Sequence, residues 1–423
     1  MSSRKKNVLI ITSSGGGGCL QLAMAKKQQL MQKEPLSNIM IIDVMKKWTW
    51  FGMGRLFVLF YNTTQTFGKA RFQERLVGCQ AIAELMLWLP IFFKSLRTFF
   101  KNDIDRLIDT QALCPSAIIN ALRIYNHRRR KNVIFEKVLV DLPTYKSTHL
   151  FHNIRRMSSK NRSLVRLLTI EPLLDTPTEE MFWQKHCKIG LSQIQKEDFY
   201  VRDAFSKYFH QKRPSTDMQL FIRADASRRA LLRNVVSKSK ARKIETKEGF
   251  SFSISPNDHV MVILLGSQAA QKATFDYVQN FLYSMKKITH PDRFYHLFVF
   301  CPNRKRDVMQ EIYDLVNKEE KYPSHFTIIP MEFQSEDVIA SLFFRSDVSI
   351  TRTGGQTAME LMGVSKGRIW IHSETKDKHM MDVKKLLKGI PGWESGNAEY
   401  LMEKYSARIV TPTLVLSLAE EFV

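Results

Sequence analysis

Short apolar runs, several of them rich in β-branched residues and followed by a turn and then a helical pattern, recur along this chain. NVLIIT (7–12) leads into SSGGGGC and then LQLAMAKKQQLMQK, whose spacing is helical; NIMIID (38–43) and VIFEKVLVDL (133–142, containing Asp141) follow in the first half. The second half carries HVMVILLGSQAA (259–270), YHLFVFC (295–301), HFTIIPM (325–331), SDVSIT (346–351) and GRIWIHS (367–373). Runs this uniformly apolar suit strands covered on both faces, the condition of a parallel sheet. Strands alternating with helices predict an α/β protein of doubly wound, Rossmann-like sheets. At 423 residues the chain exceeds what one core usually organises. We therefore expect an N-terminal α/β domain over 1–245 and a C-terminal one over 246–423. Residues 158–245 are basic and mixed, and SRRALLRNVVSKSKARK near their end predicts a charged helix followed by a linker.

Ligands of such sheets sit beyond the carboxyl ends of the strands, where glycines allow close backbone approach. Gly15, Gly16, Gly17 and Gly18 form a contiguous run after the first strand. They match neither a phosphate-binding GK[ST] loop nor a spaced GxGxxG fingerprint, which leaves a ligand loop or a simple tight turn. Thr351-Arg352-Thr353-Gly354-Gly355-Gln356-Thr357 leaves one strand and enters a helix that carries Glu360. Its amides suit a diphosphate. The Glu360 carboxylate suits two vicinal hydroxyls of a ribose, or merely favours its helix N-terminus. Glu394, Gly396 and Asn397 lie at another loop-to-helix boundary, where Ser395 or Asn397 could equally be a cap. Gly266-Ser267-Gln268 follows the first strand of the second domain.

In this order the elements resemble the GT-B glycosyltransferases, and among them a family 28-like branch. That branch holds the monogalactosyldiacylglycerol synthases, the processive diacylglycerol glucosyltransferases and the N-acetylglucosaminyltransferase that makes lipid II. LLGSQAA, FVFCPNRK, SDVSITRTGGQTAMEL and WESGNAEYL carry the likeness in the second domain, and the Gly15–Gly18 run carries it in the first. The resemblance implies two doubly wound domains facing each other across a cleft. It also implies an inverting, metal-independent hexosyltransferase that takes a nucleotide-sugar, UDP-linked in most relatives, as substrate and needs no other cofactor. Glu360 would hold the ribose. Gly354, Gly355 and Thr357, helped by Arg352 and by Gly266, Ser267 and Gln268, would cradle the diphosphate. Glu394 and Asn397 would meet sugar or phosphate, and Gly15–Gly18 would face the acceptor. Asp141 would be the general base, or alternatively a turn cap before Pro143. Where relatives carry a histidine after the glycine loop this chain has Cys19, which puts catalysis in question. It also has Pro302 in place of a glycine.

Net charge is +23, from 64 Lys+Arg against 41 Asp+Glu, which favours polyanions such as anionic headgroups. No nucleic-acid recognition module is legible, so nucleic acid is not an expected partner. The stretch 48–100 is aromatic and basic. Either it is core, or Trp48, Trp50, Phe51, Phe57 and Phe60 dip into a membrane interface while Arg55, Lys69, Arg71, Arg75, Lys94 and Arg97 meet headgroups. Its apolar segments are too short or too charged to span a bilayer. The run Val8–Ile11 is too short for a signal sequence. Five scattered cysteines form no CxxC pair and suit a reducing compartment. Asp103-Ile104-Asp105 reads as acidic residues on a first helical turn rather than a metal site. The expectation is a cytoplasmic, peripheral membrane enzyme glycosylating a lipid such as diacylglycerol. The alternatives are a protein or other acceptor, or a catalytically silent nucleotide-sugar binder.

Overall fold

A computed structural model describes residues 5–15, 17–50, 52–66, 80–197, 201–266, 270–288, 291–301, 307–375 and 381–418. The expectations for Gly16, Phe51, Lys69, Arg71, Arg75, Ser267, Gln268 and Pro302 fall outside them.

The first sheet contains β1 (Asn7–Thr12), β2 (Asn38–Asp43), β3 (Arg106–Asp109), β4 (Phe135–Val138), β5 (Val165–Thr169) and β6 (Ile194–Lys196). They are all parallel, in the order β2-β1-β3-β4-β5-β6. After it come β7 (Met218–Arg223), β8 (Lys243–Glu245) and β9 (Gly249–Ile254), an antiparallel trio ordered β7-β9-β8. The second large sheet contains β10 (His259–Leu264), β11 (Tyr295–Phe300), β12 (Phe326–Met331), β13 (Val348–Thr351), β14 (Arg368–His372) and β15 (Arg408–Val410). It too is parallel, ordered β12-β11-β10-β13-β14-β15. Val8–Ile11 and Val260–Ile263 are at most 1% exposed, as strands covered by helices on both faces must be. The α/β architecture of two facing, doubly wound domains stands.

Several local expectations are corrected. The run 133–142 is a strand only over Phe135–Val138, so Asp141 lies in the loop beyond it. The segment after the charged helix Ala226–Ser237 is no linker, because Lys243–Glu245 pairs with β9. The division expected at 245/246 therefore falls inside a hairpin, which packs through that helix against the second domain. Asp103 and Asp105 do not open a helix. They follow the helix Gln80–Asn102, and both hold Lys131, at 3.0 and 2.8 Å.

Strand order reverses between β1 and β3 in the first sheet and between β10 and β13 in the second. These are the points where doubly wound sheets open a crevice. The loops after β1, β10 and β13 meet there. The domains are held by a strap over residues 201–213, in which Tyr208 stacks on Phe344 at 4.5 Å and Lys207 pairs with Asp337 at 2.7 Å. Across the cleft Lys146 pairs with Glu399 at 2.7 Å and the Tyr400 hydroxyl donates to the Glu171 carbonyl at 2.9 Å.

Candidate active site

A cavity of about 200 Å³ lies between the two switch points. Gly17, Gly18 and Gln21 line it from the first domain, and Gly266, Arg352, Gly354, Gly355, Thr357 and Glu394 from the second. Glu360 lies on its wall beside Arg202, and Phe333 and Phe343 supply apolar surface. The described residues thus bring most of the expected donor positions into one space. That space is smaller than the roughly 300–1,000 Å³ of typical small-molecule pockets.

The glycines have separate reasons to be there. Gly17 has φ +83° and Gly266 φ +81°, a left-handed backbone that favours glycine. A Cβ on Gly354 would meet open space, whereas a Cβ on Gly355 would overlap the Val140 carbonyl of the other domain. Gly355 therefore lets the domains close, and Gly354 leaves the start of the helix Gly355–Val364 open to the cavity. The first amides of that helix have no intrahelical acceptor and attract negative charge.

Glu360 is 2% exposed, and its carboxylate on the cavity wall is already engaged by protein side chains. Arg202 grips it in bidentate fashion, Nε to Oε1 at 2.7 Å and Nη2 to Oε2 at 2.8 Å, and Gln356 Nε2 adds 3.0 Å to Oε1. Arg202 also reaches Glu336 at 3.3 Å and lies over the Phe205 ring at 4.7 Å. Burial disfavours its charge, but Glu360 and Glu336 together outweigh burial and hold the guanidinium above its ordinary value. Arg352 lies 3.7 Å from the buried Glu394. Burial pushes the Glu394 carboxyl up, against the pull of Arg352. The cavity is lined by two arginine–glutamate pairs, so its own charges are balanced before any ligand enters.

The first-domain side of the cleft is more enclosed. Lys137 and Asp109, opposite one another on β4 and β3, form a fully buried pair at 2.8 Å, and Lys137 also donates to the Gln111 carbonyl. Cys19 lies nearby. Burial, opposed by Lys137, pushes its thiol up to about 11, so it stays protonated at neutral pH and is a poor base. Asp141 is 6% exposed and its Oδ1 accepts from Asn397 Nδ2 at 2.9 Å. Asn397 is fully buried and does not line the cavity; it bonds to the protein itself instead of facing a ligand. Nor is it a cap, since it lies inside the helix Gly392–Tyr405. Gly15 is half-buried.

The proposed interface residues divide. Trp48 is 3% exposed and belongs to the core, a correction with a plain cause: it closes the helix Val44–Lys47 against the first sheet. Phe57 also packs on the core. Trp50, Arg55 and Phe60 are exposed, and so are Leu56, Leu59, Leu85, Met86, Leu89 and Phe93, which the sequence reading did not single out. All of these except Trp50 lie on the helices Met53–Thr66 and Gln80–Asn102. No helix among the described residues is long and apolar enough to cross a membrane, and none of their side chains forms a metal-ligating group of three or more.

Arg202 is the principal site residue missed from sequence. It sits in a basic segment with no glycine turn or strand end beside it, and only its partner 158 residues away reveals it.

No protein-family model matches the chain, and no curated protein matches its sequence. Among solved structures it is similar to Acinetobacter baumannii MurG, at 12% identity and a TM-score of 0.45 over 99% of this chain and 90% of that one. It is similar to the UDP-GlcNAc 2-epimerase from Neisseria meningitidis bound to UDP-GlcNAc, at 11% identity and 0.41 over 98% of each chain. A third likeness is to the spinosyn rhamnosyltransferase SpnG, at 10% identity and 0.43 over 97% and 99%. These are distant likenesses.

Proposed function

We propose that the chain is a glycosyltransferase that takes a hexose from a nucleotide-sugar, most simply a UDP-sugar, and passes it to a lipid hydroxyl at an anionic membrane surface. The observation that carries this reading is the convergence, in one cavity between two switch points, of an open helix N-terminus behind Gly354, the Arg352 guanidinium and the Glu360 carboxylate. A diphosphate needs the first two and a ribose diol the third. Exposed leucines and aromatics on two helices of the first domain, with Arg55 beside them, support a membrane face.

In the proposed step Asp141 accepts the proton of the acceptor hydroxyl as its oxygen attacks the anomeric carbon. The bond from that carbon to the phosphate oxygen breaks, and its electron pair leaves with the diphosphate. Helix amides and Arg352 meet that charge. A single displacement inverts the anomeric configuration. Cys19 takes no part as a base. A silent nucleotide-sugar binder is the second reading, favoured by the protonated Cys19 and the enclosed Asp141.

The test is release of nucleoside diphosphate from a panel of UDP- and GDP-sugars, with and without anionic vesicles containing diacylglycerol. Vesicle-dependent release from one donor is the expected result. Nucleotide binding without release under any condition would favour the silent binder, and release without vesicles would sink the lipid acceptor.

A further inference from the structure

Three of the four hydrogen-bonding positions of the Asn397 amide are committed, and they join the two domains. Nδ2 donates to Asp141 Oδ1 at 2.9 Å and to the Thr353 carbonyl at 2.7 Å, while Oδ1 accepts from the Leu142 amide at 2.8 Å. Asp141 and Leu142 belong to the loop after β4. Thr353 immediately precedes Gly354 and Gly355. This pattern needs two donors and an acceptor on one short, planar group. Serine offers one donor, aspartate none, and a leucine of similar size would fill the space without aiming anything. The adjacent Gly396 brings the helix close, for a Cβ there would overlap the Thr144 hydroxyl.

We propose that Asn397 is a positioning residue for Asp141. It fixes the direction of that carboxylate and ties it to the donor loop, so that the base is aligned only when the two domains are closed around a donor. Closure and base alignment become one event, through a residue that touches no substrate. The inference rests on the glycosyl-transfer reading and on Asp141 as its base.

The experiment compares the full-length wild type with Asn397→Asp, Asn397→Leu, Asp141→Asn and the exchange Asp141→Asn/Asn397→Asp. UDP release from the active UDP-sugar is followed over diacylglycerol vesicles, UDP affinity by calorimetry, and Tm by thermal melting. Asn397→Asp is expected to lower kcat at least 30-fold while KM for the donor and Kd for UDP stay within threefold. The exchange restores an amide-to-carboxylate bond at the same place. It is expected to recover Tm relative to Asn397→Asp, with kcat still at the level of Asp141→Asn. Should Asn397→Asp fail to fold, Asn397→Leu, which introduces no charge, is read by the same criteria. Wild-type kcat in a folded Asn397 variant, or a loss appearing equally in KM and Kd, would overturn the inference and leave the transfer reading intact. Absence of UDP release from the wild type with every donor would overturn the transfer reading, and this inference with it.

Discussion

The carboxyl ends of the two large sheets are built alike and finished differently. Both are parallel, six-stranded and doubly wound, and both turn glycines toward the cleft. The first seals its end with protein: the Lys137–Asp109 pair is fully buried and Cys19 is held as a neutral thiol. The second opens onto the cavity, where Glu360 meets Arg202 of the strap and Arg352 meets Glu394. A buried pair facing only protein fixes a shape. A pair on a cavity wall can exchange partners with a ligand, because a diphosphate and a diol carry the charges and hydroxyls that the pair itself uses. Equivalent topology therefore does not give equivalent chemistry; the difference lies in whether the charged groups keep any contact with open space.

The strongest way to break this contrast is Lys137→Met. It strands Asp109 in the core, and stability should fall by about 3–5 kcal/mol, with Lys137→Met/Asp109→Leu recovering most of it. Urea denaturation measures both, and a single variant within 1 kcal/mol of wild type, on the order of an ordinary surface substitution, would mean the first domain is not sealed by this pair. The next effect is of pH, at the opposite end of the second sheet. Burial holds His259 down to about 4, against an ordinary 6.5. Between those values the unfolded chain binds a proton that the folded chain does not. Stability should therefore fall as pH drops through that window, by up to about 3 kcal/mol. His259→Phe should flatten the profile in equilibrium unfolding between pH 7 and 4, and an unchanged slope would count against the assignment.

Gly355→Ala and Gly354→Ala sharpen the comparison within one turn. The first should cost about 1–3 kcal/mol by forcing the domains apart, the second no more than about 0.5. Equal melting temperatures for the two variants would contradict the close approach to Val140. For the proposed donor site Glu360→Gln is a better probe than Glu360→Ala, because it keeps an acceptor for the partly buried Arg202. Nucleotide affinity should drop about tenfold, near 1.4 kcal/mol, with the fold retained. The smallest effect on stability is expected from Leu85→Asp/Leu89→Asp on the exposed face of the helix Gln80–Asn102. Melting should move little, within about 0.5 kcal/mol, while co-sedimentation with anionic vesicles falls. Unchanged sedimentation would remove this face from the proposed membrane contact.

Much of the fold was legible. β1, β2 and β10–β14 are apolar runs with a local period, and they were placed within a few residues. β3, β5 to β9 and β15 were not recognised. β3 is only RLID and carries the buried Asp109, so its polar residues disguise a central strand. Glycine turns exposed Gly17, Gly266 and Gly354 as cavity residues, because the backbone they permit is a local property. Trp48 illustrates the converse, since aromatic content alone does not say whether a side chain meets core or solvent.

By itself the sequence determined two parallel α/β units and the turns at which a ligand could approach, because strand and helix periods are written in neighbouring residues. Only the tertiary structure decided that Arg202 closes on Glu360 across 158 residues and that Asn397 reaches Asp141 across 256. The physical reason is one of range. A hydrophobic period fixes which face of an element is buried, whereas the partner of a buried charge or amide is chosen by the packing of whole domains, which no local window of residues contains.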